Sequence, residues 1–334
     1  MNTHGMRITL AAATALALVA CGGNGAEEGS GDPAAPDEAW QPDRPITYII
    51  PYGTGGSTDP IGRQYASQLS EILGVEVIVE NREGGAATIG TSAIVTATPD
   101  CYTIGLSNQT ALSNQPLLTP ELPWDSADDY QPLVKLTDVP VVLAVGADTP
   151  WQTLEEFVAH VEANPGEVGY ATSGVGGTPD TNAVLLEQEA GLALNRVPFS
   201  GGGGEALTAV VGGQIESIGT FFTSMAGFID SGDVRPLGVF YEGTYDALPD
   251  VPSIPDMFPG AAIPAAYYTI APADLPEDCF QTLVDASEEI VNSEEYTEFA
   301  AEQGYVMDPI LTDELAEEIT DYVAVFEELQ ASGS

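Results

Sequence analysis

The chain has 334 residues, 51 acidic and seven basic, for a formal net charge of −44. Hydrophobic residues make up 44%, which excludes the composition of a disordered chain, and the charge excludes a nucleic-acid binder, because phosphate neutralisation needs clustered Lys and Arg. One lysine, Lys135, and two histidines, His4 and His160, leave little material for metal or Ser-His-Asp chemistry.

Residues 1–7 carry Arg7, and an apolar run follows over 8–20. That run has the length of a signal-peptide core and is too short to span a bilayer as a helix. It ends Leu18-Val19-Ala20-Cys21-Gly22, which resembles the bacterial lipobox, in which the cysteine is lipidated and becomes the new N-terminus. An ordinary secretory signal with an incidental cysteine is the alternative. Residues 21–44 are rich in Gly, Pro and acid with one aromatic, Trp40, and are expected to form a disordered tether. No later apolar stretch is long and charge-free enough for a membrane helix. The body from Pro45 onward is therefore expected to be soluble and held at the outer face of a membrane.

Residues 46–50 (ITYII) are β-rich and stop at Pro51 and a glycine-rich turn. Ile61, Tyr65, Leu69, Ile72 and Leu73 have helical spacing, Gly74 ends that helix, and Val75, Val77 and Val79 alternate as in a strand. A helix near 86–97 and a strand over 102–106 follow, then a long irregular stretch over 108–137. The alternation resumes with strand 141–145, helix 154–162, strand 168–172, helix 180–189 and strand 194–198. Another helix starts after the glycine run 201–204 and precedes strands near 215–219 and 234–240. Proline-rich turns fill 249–264, a last strand covers 267–271, and helices run from 276 to the end. Such alternation predicts two α/β halves with mostly parallel sheets. Ligands in such sheets bind outside the carboxyl ends of the strands, where Gly-rich loops meet helix N-termini.

The first loop, Pro51-Tyr52-Gly53-Thr54-Gly55-Gly56-Ser57-Thr58-Asp59, lies between a strand and a helix. Its glycines let backbone N–H groups approach an anion, and the helix behind adds its positive end. It is neither a Walker loop nor a Rossmann fingerprint, and no cofactor is implied. A plain turn, with Asp59 capping, Pro60 at N1 and Asp59–Arg63 as an i,i+4 pair, explains it equally. Residues 236–334 hold 22 acids and no Lys or Arg. No D-x-D-x-D-G calcium loop occurs there, and the bland reading is a solvated surface. Acid excess with near-absent lysine is the pattern of proteins from salt-loving organisms, in which salt screens self-repulsion. No G-x-S-x-G elbow occurs, and nothing places His160 beside Cys101 or Cys279 as a Cys-His nucleophile, so an enzyme is not expected.

P-Y-G-T-G-G-S-T-D with Arg63, V-E-N-R-E-G-G (79–85), Thr88-Ile89-Gly90, Pro99-Asp100-Cys101-Tyr102-Thr103, V-P-F-S-G-G-G-G (197–204), Gly212-Gly213-Gln214-Ile215 and Ala271-Pro272-Ala273-Asp274-Leu275-Pro276 occur in order over about 45–330. Together they resemble the tripartite tricarboxylate transporter receptor family (TctC, or Bug proteins). The resemblance implies a periplasmic-binding-protein-like fold whose two lobes close on a small carboxylate, delivered to a membrane permease. It implies lobe 1 over 45–143 and 266–334 and lobe 2 over 144–265, acting as a monomer.

Matched by motif, the ligand would meet Tyr52, Gly55, Gly56, Ser57 and Thr58, then Asn108 and Thr110, and from lobe 2 Thr172, Ser173 and Thr178, with Ser200 and Gly201 closing the site. For each hydroxyl a helix cap is the competing reading. The sequence departs from the family where Cys101 replaces a usual Gly and Glu216 a frequent Asp. Its second-lobe loop, 172–178, lacks the frequent His, whose place is taken by Asn182 or a neighbour. With Cys21 lipidated, Cys101 and Cys279 would remain in an oxidising compartment, and the family fold returns both to lobe 1, which implies a disulfide. The alternatives are a carboxylate-driven hydrolase on an α/β scaffold and a ligand-presenting sensor without transport.

Overall fold

The computed structural model describes residues 40–54, 58–199 and 202–331. The expected signal segment 1–20, Cys21 and the tether up to residue 39 lie outside the described residues. So do Gly55, Gly56, Ser57, Ser200 and Gly201. Trp40 to Arg44, assigned to the tether by composition, are fixed on the body. Trp40 packs edge-on against Tyr102 (5.5 Å), and Arg44 pairs with Asp100 (2.8 Å) while lying over the Tyr102 ring.

The first strands and helices are β1 (Ile46–Ile50), α1 (Asp59–Leu73), β2 (Val77–Asn81), α2 (Thr88–Val95) and β3 (Thr103–Asn108). α1 forms where expected: Pro60 opens it, Ile61, Tyr65 and Leu69 make its buried stripe, and Gly74, at φ 68°, closes it. A single π-helical turn, Thr110–Asn114, then runs into α3 (Gln115–Leu118). A strand not anticipated from the sequence follows, β4 (Tyr130–Val139). The remainder is β5 (Val141–Gly146), α4 (Leu154–Ala163), β6 (Gly169–Thr172), α5 (Thr178–Ala190), β7 (Asn195–Pro198), α6 (Gly203–Val211) and β8 (Ser217–Phe221), then α7 (Phe222–Ser231), β9 (Val234–Phe240), α8 (Ile254–Met257), β10 (Ala265–Pro272), α9 (Glu277–Val291), α10 (Glu294–Gln303) and α11 (Thr312–Ala331).

Two five-stranded sheets result, ordered β2-β1-β3-β10-β4 and β7-β6-β8-β5-β9. Each is mixed. β1, β2 and β3 pair in parallel, as do β6, β7 and β8, whereas β10 and β4 in one sheet and β5 and β9 in the other join antiparallel. The parallel strands come from βαβ crossovers, as the sequence pattern requires. The antiparallel pairings centre on β10 and β5, the strands that receive the chain from the other lobe, while α7 crosses from β8 to β9 past β5. β4 passes directly to β5 at Pro140, so residues 141–143, expected in lobe 1, belong to the second sheet. The return runs from β9 to β10.

Lobe 1 is cored by β1, β3 and β4 against α1 and α9. Tyr48 and Tyr65 pack at 5.3 Å, and their hydroxyls bond Thr269 (2.9 Å) and Ser287 (2.7 Å), which satisfies buried polar groups. Cys101, at the start of β3, is disulfide-bonded to Cys279 in α9, with Cα atoms 6.4 Å apart. Lobe 2 is cored by Val141, Leu143 and Val145 of β5 with Trp151, Leu154 and Phe157. His160 is exposed on α4, with its ring 5.0 Å from Trp151.

The one lysine lies in β4 at the joint between the sheets. Its side chain is 3% exposed and its Nζ meets Asp138 (2.9 Å), Glu318 (3.0 Å) and Asp308 (3.4 Å). Behind the joint, Tyr245 donates a hydrogen bond to the Gly304 carbonyl.

Candidate functional site

A cavity of about 510 Å³ opens between the lobes at the carboxyl ends of the parallel strands, where open α/β sheets place their ligands. Lobe 1 contributes Tyr52, Gly53, Thr54, Thr58, Ala86, Asn108, Thr110 and Tyr267. Lobe 2 contributes Ser173, Gly177, Thr178, Pro179, Gly202, Gly203, Thr220, Phe221 and Ser224. Among these described residues there is no Lys, Arg, Asp or Glu.

Six residues singled out from the sequence meet here: Tyr52, Thr58, Asn108, Thr110, Ser173 and Thr178. Thr172 does not line the cavity. It is fully buried at the end of β6, and its hydroxyl turns onto the Gly174 carbonyl two residues on (3.4 Å). Gly53, Thr54, Thr220, Phe221, Ser224 and Tyr267 were not foreseen. Gly53 and Thr54 stand in the loop already singled out. Tyr267 carries no local signal, because it reaches the site from β10, far along the chain from Thr58.

The polar groups of lobe 1 are already ordered. Asn108 Nδ2 donates to the Tyr52 hydroxyl (2.6 Å) while Asn108 Oδ1 accepts from Ala111 N (2.9 Å). Thr58 Oγ1 donates to the Tyr267 hydroxyl (3.1 Å). Each phenol thus serves as an acceptor, which leaves its own proton free to donate into the cavity. Burial pushes both phenols above their ordinary range, so that proton is retained. The lobes touch across the site through Thr110 Oγ1 and Thr178 Oγ1 (3.3 Å), and Asn114 Nδ2 donates to the Gly176 carbonyl (3.2 Å).

Four helices begin at the cavity wall: α1 after Thr58, α5 after Gly177, α6 after Gly202 and α7 after Phe221. Each presents unpaired N–H donors and the positive end of its dipole, the two features that bind anions without a cationic side chain. An acid in the first turn opposes this, and α1 and α5 each carry one that is buried. Both are neutralised from behind. Asp59 pairs with Arg63 (2.8 Å) and accepts from Asn81 Nδ2 (2.8 Å), which also donates to the Tyr52 carbonyl. Asp180 pairs with Arg196 (3.2 Å) and accepts from Gly176 N (2.9 Å). Arginine therefore serves the site by cancelling these acids rather than by facing the cavity.

Two α/β lobes around an uncharged, donor-rich cleft define a solute-binding protein of the periplasmic type. Residues 61–325 match the model of the tripartite tricarboxylate transporter family receptor. The chain is 34% identical over 251 residues to a UPF0065 protein of Bordetella bronchiseptica, covering 75% of this chain and 74% of that one. A TctC solute-binding protein from Polaromonas has a TM-score of 0.72 at 25% identity, covering 87% of this chain and 99% of that one. Two Rhodopseudomonas palustris structures share the fold: Rpa4515 with adipate (TM-score 0.77, 22% identity, 86% and 96% covered) and MatC with bound malate (0.72, 24%, 86% and 99%). The chain belongs to the tripartite tricarboxylate transporter receptor family. That family consists of extracytoplasmic solute-binding receptors, not enzymes.

Proposed function

We propose that this protein captures a small organic carboxylate between its lobes and delivers it to a tripartite tricarboxylate-type permease, tethered to the outer face of the membrane through lipidated Cys21. The observation that carries the reading is the cavity itself: four helix N-termini and the free phenolic protons of Tyr52 and Tyr267 converge on a space with no charged side chain among its described lining. Such a site stabilises a carboxylate by hydrogen bonds and dipoles. Structural neighbours holding malate and adipate support the ligand class. Among the described residues no helix is long and apolar enough to cross a membrane, which is consistent with attachment through the N-terminal segment.

The test is a thermal-shift and calorimetric screen in molar salt over mono-, di- and tricarboxylates. At least one acid should raise the melting temperature and bind with 1:1 stoichiometry. Failure of every carboxylate, with the protein folded, rejects the reading. For the anchor, Cys21→Ser should release the protein from membranes. A membrane-bound variant would reject lipidation at that residue.

A further inference from the structure

Two of the sequence motifs, V-E-N-R-E-G-G (79–85) and Thr88-Ile89-Gly90, put no side chain on the cavity wall; Ala86, between them, is the one residue there that lines it. Both motifs pack instead against the loop over 51–59. Arg82 N donates to the Ile50 carbonyl (2.8 Å), which carries the β1–β2 pairing up to the loop. A Cβ on Gly90 would lie 2.6 Å from the Pro51 Cα, so α2 approaches the loop's first residue as closely as glycine alone allows. A Cβ on Gly53 would meet Glu83 Oε2 at 2.5 Å.

Asn81 makes the contacts that span the loop. It is the last residue of β2 and pairs in register with Ile50, the last residue of β1. Its Nδ2 donates to the Tyr52 carbonyl (2.8 Å) and to Asp59 Oδ1 (2.8 Å), on either side of 53–58. Its Oδ1 accepts from Arg63 Nη2 (2.8 Å), and Arg63 Nε pairs with Asp59 Oδ2 (2.8 Å). Amide, carboxylate and guanidinium form a closed ring in which each amide proton has its own acceptor. One end of the ring holds the backbone that carries the Tyr52 phenol. The other holds the first residue of α1, next to Thr58. An aspartate of the same shape would set acceptor against acceptor at both places.

We propose that Asn81 is a positioning residue for anion capture. It lies outside the cavity wall, and by tying Tyr52 to Asp59 it holds the loop between them in the form that meets a carboxylate. The inference rests on the cavity being a carboxylate site, and it assigns the V-E-N-R motif a part in affinity. A loop fixed at both ends before the ligand arrives has less conformational entropy to lose on binding.

Malate, adipate, succinate and citrate are titrated by calorimetry in molar salt into wild type, Asn81→Ala, Asn81→Asp and Glu80→Gln. Stoichiometry reports the folded fraction, so Kd is read on folded molecules alone. Asn81→Ala should weaken the best-bound acid about tenfold at 1:1 stoichiometry. Asn81→Asp should weaken it further, although it keeps the side-chain volume, whereas a residue acting by packing alone gives the reverse order. Glu80, the preceding residue, pairs with Arg82 at the surface, and Glu80→Gln should stay within about twofold of wild type. In the ligand-free protein, amide hydrogen exchange over 52–59 should quicken about tenfold in both Asn81 variants and keep the wild-type rate in β8 of the other lobe. An Asn81→Ala affinity within twofold of wild type, an Asn81→Asp affinity no lower than that of Asn81→Ala, or unchanged exchange over 52–59 would overturn the assignment. Failure of all four acids on wild type would count against the receptor reading, and loop exchange alone would then decide the role of Asn81.

Discussion

Cutting the Cys101–Cys279 bridge separates two opposing effects built into one position. The bridge closes a sequence separation of 178 residues. In the chain-entropy model that constraint lowers the unfolded-state entropy by about 2.1 + 1.5R ln n, or about 17 cal/mol/K, which is about 5 kcal/mol at 25 °C. Against this stands the backbone: Cys101 sits at φ 68°, the left-handed region, where a side chain costs about 1 kcal/mol relative to glycine. The Cys101→Ala, Cys279→Ala pair should therefore lose about 5 kcal/mol, and the Cys101→Gly, Cys279→Ala pair about 4 kcal/mol. Urea unfolding of both pairs and wild type, in molar salt, with tyrosine and tryptophan fluorescence followed separately, reads the difference. Dithiothreitol should lower the midpoint of wild type and leave both pairs unchanged. Refutation would be a wild-type midpoint matched by either pair, or an alanine pair more stable than the glycine pair.

Replacing Lys135 by Met should destabilise lobe 1 by about 3 to 5 kcal/mol, read by the same unfolding assay, because Asp138 would be left buried with Glu318 and no counter-charge. Burial raises the Asp138 carboxyl from 3.8 to about 6 despite Lys135 beside it. A folded-state value above the unfolded one gives stability that is fully present below about pH 4 and lost as pH rises through 6. Asp138→Asn should therefore flatten the stability profile between pH 4 and 7 by up to about 3 kcal/mol, and a slope unchanged by the variant would contradict it. The excess of acids, 51 against seven bases, predicts a thermal midpoint that rises between 0.1 and 2 M KCl as the Debye length shrinks from about 10 Å to about 3 Å or less. A flat midpoint would dismiss the halophilic reading of the surface.

Strands and helices with clean periodicity and glycine or proline punctuation were readable directly: β1, α1, β5 and β9 follow from their apolar residues alone. β4 escaped because YQPLVKLTDV shows no alternation. Every position from Pro132 to Val139 is buried irrespective of face, Lys135 and Asp138 included, and Pro132 argues against a strand. The structure reconciles these features: β4 is the last strand in its sheet's order, its lysine meets Asp308 and Glu318, 173 and 183 residues further along the chain, and residues 306–311 run against it through Lys135 N to Ile310 O (2.8 Å) and Asp138 N to Val306 O (2.9 Å). α7 escaped because it begins at the residue after β8, with no loop to announce it. The same contrast holds at the site. Thr58 and Thr178 stand at helix starts that glycine loops mark in the sequence, and Asn108 ends a strand whose apolar residues are readable. Thr220 sits inside a strand, and its place at the cavity is a property of packing rather than of spacing.

The burial of Lys135 also bears on how the molecule can be handled and watched. Its ε-amine, 3% exposed and ringed by carboxylates, is the only lysine amine in 334 residues. Acylating reagents and amine-directed cross-linkers therefore meet no lysine on the folded surface, so coupling to a resin or a dye through lysine would select unfolded molecules. The limitation is also an opportunity. Because this amine stands where β4 hands the chain to the other lobe, the rate at which it acquires a label is a single-site measure of how often that joint opens, and it needs no engineered probe.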